Sequence, residues 1–143
     1  MNIGQKVAIL NELKTKKLID DIQEQENTLE NLLRADALYR SERIQCLAPH
    51  GEDSREVKGI LADLVMEAPA PEGKKMTVAQ TDAWLRTQRT ANPSLAKAIQ
   101  SQNEAAFMAE NNRISTEMAK ARLSSLRGLL GLRTAQIEFL GQD

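Results

Sequence analysis

Cys46 and His50 are the one thiol and the one imidazole of the chain, and they stand four residues apart. That interval suits a pair of metal ligands on one helix face, and a thiol beside an imidazole suits a nucleophile with its base. Pro49 lies between them and breaks the helical geometry the interval needs. A tetrahedral site takes four ligands, and no further cysteine or histidine is there to complete it. No third residue is placed to orient His50, and no oxyanion motif accompanies Cys46. Glu52, Asp53 and Glu56 cluster beside a helix start, where carboxylates cap the helix and complement its dipole. The chain also lacks a glycine-rich phosphate loop, a G-x-S-x-G elbow and an H-E-x-x-H pair. These readings give no catalytic residue, no metal site and no cofactor, and they argue against an enzyme.

Binding chemistry is better represented. Trp84 is the only tryptophan. It either anchors a short helix onto longer ones or stands exposed as a contact, since tryptophan is enriched at partner interfaces. With Leu85, Val57, Ile60, Leu61 and Leu64 it makes an apolar set that suits a protein partner. Lys14, Lys16, Lys17, Arg127 and Arg133 form a second set. If the two ends of the chain lie side by side, these five cations face mainly Glu12, and they suit a phosphate backbone with salt-sensitive affinity. Neither this set nor the Arg113, Lys120, Arg127 stripe carries an aromatic for base stacking. An ordinary solvated helix face is the competing reading.

The elements that must position these residues are long helices. Asn92-Pro93 is a helix start, because Asn caps the free N–H groups and Pro at the first position gives up no hydrogen bond. No proline follows, and the composition from Ser94 to Leu140 favours helix. Phe107, Met118, Leu129 and Leu140 recur at intervals of eleven, with Ile114, Ala121 and Ile137 on a nearby stripe. Eleven residues are three turns of a nearly straight helix, so this stripe is expected to need a partner to cover it. Gly128 and Gly131 point to a kink or a close helix contact. Ile3 to Leu47 reads as a matching first helix. Leu18, Leu29 and Arg40 lie eleven apart, as do Ile22, Leu33 and Ile44, with Val7 and Leu10 extending the stripe. Matched period and length predict an antiparallel pair of arms. In that register Asp20, Asp21, Glu24, Glu26 and Glu30 face the basic segment from Arg113 to Arg127, which favours the orientation.

Between the arms, Ala48-Pro49-His50-Gly51 is a stop signal. Asp53 with Glu56 has the spacing of a capping box, with Ser54 as a competing cap. The segment from Glu67 to Lys75 is a loop, with two prolines and one glycine in nine residues. Thr77 with Gln80 is a second capping box, opening a helix whose face carries Val78, Thr81, Trp84, Leu85 and Gln88. The fold class predicted is all-α: one domain over residues 1–143, a long antiparallel helical hairpin of coiled-coil-like arms (3–47 and 92–140) with two short helices inserted (48–91).

Composition agrees. Aromatics are only 3% of the 143 residues, which suits long helices packed side by side rather than an aromatic-rich globule. So thin a core leads us to expect a homo-oligomer. A net charge of −1 gives no global attraction to nucleic acid or membrane. A lone cysteine forms no intrachain disulfide and suits the cytoplasm. No apolar run is long enough to span a bilayer, and Met1 to Leu13 lacks the basic-then-apolar order of a signal peptide.

The segment NPSLAKAIQSQNEAAFMAENNRISTEMAKARL, Asn92 to Leu123, resembles small uncharacterised helical proteins of bacteriophages and prophages in composition, length and helix style. The resemblance implies a phage-like setting, in which such proteins bind and modulate a host or phage protein or assist DNA transactions. It assigns no residue a role. The function expected is a non-enzymatic protein–protein interaction module, an inhibitor or adaptor of phage type. The alternative is a nucleic-acid-binding accessory protein using the basic set.

Overall fold

The computed structural model of the chain describes residues 2–69 and 73–140, with backbone alone for Leu10, Asn11, Leu13 and Leu140. The described residues form four helices and no strand: α1 (Ile3–Glu42), α2 (Arg55–Glu67), α3 (Val78–Ala91) and α4 (Pro93–Leu140). The middle of the Glu67-to-Lys75 loop, residues 70–72, lies outside them.

Local chemistry explains most boundaries. Asn92 Oδ1 accepts from the Leu95 N–H at 3.1 Å, capping α4 ahead of Pro93. Thr77 and Gln80 close both bonds of their capping box at the start of α3. Ser54, not Asp53, caps α2: its hydroxyl accepts from Val57 N at 3.3 Å. Asp53 is engaged elsewhere, as described below. The first helix stops five residues short of the expected Leu47. Continuing it would offer the Gln45 carbonyl to residue 49, a proline with no N–H. That carbonyl instead accepts from Glu56 N at 3.1 Å, tying the turn after α1 to the first turn of α2. Gly51 then takes a φ of +78° in the turn closed by Glu52 N on Pro49 O, a conformation that suits glycine.

The chain divides into two compact units. Unit 1 comprises Met1–Asp36 and Asn112–Asp143. Its core is Leu18, Ile22 and Leu123, with Leu29, Leu126 and Leu130 packed against it. Glu26 accepts from Arg127 at 3.0 Å and Asp36 from Asn112 at 3.2 Å, so within this unit the two helical segments run antiparallel. The Glu26–Arg127 pair joins the acidic and basic blocks as their charges require. It is exposed on both sides and contributes little beyond register.

Unit 2 spans Ala37–Asn111. Val57 and Leu64 of α2 meet Leu95 and Ala98 of α4 in its core, flanked by Ile60, Leu61, Trp84, Leu85 and Ile99. Val57 and Leu95 are fully buried.

The buried face of α4 is not the eleven-residue stripe. Leu95, Ala98, Ala105, Ala119 and Leu123 are buried, whereas Phe107, Met118 and Leu129 are exposed. The Leu140 and Leu10 side chains lie outside those described. The series Ile22, Leu33, Ile44 starts buried on α1, is exposed at its second member and leaves the helix before its third. Gly128 and Gly131 do not interrupt the helix, and a Cβ at either would meet nothing within 4 Å. Among the described residues neither makes the contact they suggest.

Candidate interaction surfaces

The six apolar residues of the insertion build unit 2. Val57 and Leu64 are buried, which removes them from any surface. Ile60, Leu61, Trp84 and Leu85 are half-buried against them. A polar joint lies beside this core. Asp53 accepts from Arg89 Nη2 at 2.8 Å and from Gln102 Nε2 at 3.3 Å. Gln102 Oε1 in turn accepts from the N–H of fully buried Ser54 at 2.6 Å. The Arg89 hydrogen bond holds the Asp53 carboxyl below the usual carboxylate range. It outweighs the burial that pushes the other way, and Gln102 adds to it. Three helices are thereby joined at one carboxylate, which explains why Asp53 is not the cap.

Cys46 and His50 do not meet as a reactive pair. The thiol contacts Glu56 Oε2 at 3.3 Å, and His50 is exposed in the turn. Burial first, then the Glu56 carboxylate, raises the thiol pKa, which disfavours the nucleophilic thiolate. Among the described residues no three His, Cys, Asp or Glu side chains are grouped to hold a metal ion.

The five cations of the basic set divide among three places in unit 1. Lys14, Lys17 and Arg133 line one groove of about 340 Å³ together with Leu18, Leu126 and Asp21. Lys16 lines another, beside Glu12 and Ile137. Arg127 is held by Glu26. Acidic neighbours are therefore closer to this set than Glu12 alone. Arg133 Nε is buried without a hydrogen-bond partner.

A surface of which the sequence reading named Ile114, Met118 and Ala121 but not the register lies on α4 in unit 1. From Ile114 an alternation of four and three residues passes through Met118, Ala121, Ser125, Gly128, Leu132 and Ala135 to Phe139. Every one of these positions is exposed. Leu123 of the core comes five residues after Met118, about 140° around the helix. The helix is thus apolar on two nearly opposite sides, one packed and one open. Ala121 and Ser125, with Leu129 and Arg122, also wall a groove of about 560 Å³ whose far side is Asp21, Glu24 and Gln25 of α1. The Gln25 Oε1 is buried there without a partner. The alternating four-three spacing was the signal for this seam. The eleven-residue period, which shares Met118 with it, hid it.

No family model matches the chain, and neither does any curated protein or solved structure. No helix among the described residues is long and apolar enough to cross a membrane.

Proposed function

We propose that the chain is a non-enzymatic protein–protein interaction module that works through the open seam of α4. The observation that carries this reading is the exposure of Ile114, Met118, Leu132 and Phe139 on a helix whose opposite side is already packed. Contiguous apolar surface of this kind marks contact sites. The finer architecture belongs to the same proposal: α1 and α4 are the arms of an antiparallel hairpin, and α2 with α3 is an insertion. The insertion braces the hairpin, and Trp84 serves that bracing rather than a partner. The raised thiol pKa of Cys46 and its pairing with Glu56 support a non-enzymatic role. A phage-type inhibitor or adaptor in the cytoplasm is the setting that the resemblance of the Asn92 segment suggests.

The test compares the wild-type chain with the double variant Met118→Glu/Leu132→Glu as bait. Both positions are exposed, so far-ultraviolet circular dichroism should be unchanged while partner retention is lost. Equal retention by both baits would remove the seam from the function.

A second reading, accessory binding of nucleic acid, draws on one observation. Lys14, Lys17 and Arg133 share a groove in which a guanidinium N–H is unpartnered. Asp21 in the same groove opposes it. Fluorescence anisotropy with labelled DNA and RNA tests this reading. It requires binding that survives near-physiological salt and weakens in Lys14→Gln/Lys17→Gln.

A further inference from the structure

We propose that the seam of α4 is covered by the same seam of a second copy, in parallel, giving a two-fold dimer. The inference rests on the reading of this face as a contact surface and names its occupant.

The first argument is the spacing. Positions alternating by four and three from Ile114 to Phe139 are those that meet along a two-helix coiled coil, where each side chain packs among four of the facing helix. In a parallel pair each seam residue meets its own counterpart, so Ile114, Met118, Leu132 and Phe139 form matched apolar layers. Ala121, Ser125 and Gly128 occupy the middle layers. They let the backbones approach closely, which supplies the contact that Gly128 lacks among the described residues of its own chain.

The second argument is area. Of the large seam residues, Ile114, Met118, Leu132 and Phe139 are between 43% and 75% exposed. With roughly 200 Å² for a fully exposed residue of this size, covering them removes on the order of 450 Å² from each copy. The small seam residues and the flanking side chains bring this toward the roughly 800 Å² that each partner contributes to a stable interface.

The third argument is charge, and it selects the orientation. In parallel pairing, a residue just before a seam position faces the residue five further along in the second copy. Glu117, just before Met118, then faces Arg122 of the second copy, and the two-fold axis makes this pair twice. Glu117 is free to turn to it, since its contact within the chain is an exposed 3.5 Å approach to Lys120 on the same helix. An antiparallel pair matching Ile114 to Leu132 would centre on Leu123 and set Arg122 against Arg122. Like charges so placed disfavour that arrangement.

Light scattering and sedimentation of the full chain provide the test. The expected mass is twice the 15.9 kDa of one chain, falling to one chain in Met118→Glu/Leu132→Glu with helicity retained. Glu117→Arg should weaken the dimer at least several-fold, and adding Arg122→Glu should restore it. In a Cys46→Ser background, Leu132→Cys should cross-link as a dimer on oxidation, since its counterpart lies opposite. A monomeric wild type overturns the inference, as does a dimer that the double variant leaves intact. A dimer that the double variant dissolves but that Leu132→Cys does not cross-link overturns the parallel arrangement. A monomeric wild type whose heterologous partner is lost in the double variant would end this inference and leave the broader reading of the face standing.

Discussion

Asp53 carries a charge that ties the start of α2 to α3 and α4. Its folded-state pKa is depressed, chiefly by the Arg89 hydrogen bond. The sign of the linkage follows. The carboxylate contributes stability that is fully present above its unfolded pKa of about 3.9. That contribution is lost as pH falls through the lower, folded value. Asp53→Asn should therefore destabilise the chain at neutral pH and flatten the decline of stability in acid. Denaturant titrations at a series of pH values check this, and parallel curves for both proteins would refute it. The same residue shows where sequence reading reaches its limit. Asp53 and Glu56 have the spacing of a capping box, and Ser54 competes one position on. Which of them caps is decided by Arg89 and Gln102, dozens of residues away, which claim the carboxylate and leave the hydroxyl to Val57.

At the scale of the element, readability tracked the range of the interaction. The Thr77–Gln80 box and the Asn92-Pro93 start were readable because every atom involved lies within one turn. The buried face of α4 was not, because the helix offers two apolar sides and its period alone does not say which meets α1. The glycines sharpen the point. Gly131 sits in an unbroken helix with open space where a Cβ would be. Gly131→Ala should raise stability by about 0.5–1 kcal/mol through helix propensity. Thermal unfolding measures this, and a lower midpoint would mean that something outside the chain occupies that space.

At the scale of the whole molecule, all-helical organisation was readable from composition and period, and the Glu26–Arg127 pair follows from the charge blocks. Two separate cores were not readable, because α1 and α4 each contribute residues to both without a break in pattern. Leu95 is fully buried in unit 2 and Leu123 is buried in unit 1. Replacing Leu95 with Ala should cost about 2–5 kcal/mol. In hydrogen exchange the loss of protection should fall first on residues 55–67 and 78–111. Loss spread evenly over both units would mean that they unfold as one.

The aromatic residues add a practical consequence. Trp84 and Tyr39 are the only tryptophan and the only tyrosine, and both belong to unit 2. Intrinsic emission therefore watches one half of the molecule. A sample whose unit 1 had melted, seam included, would still fluoresce like the native chain.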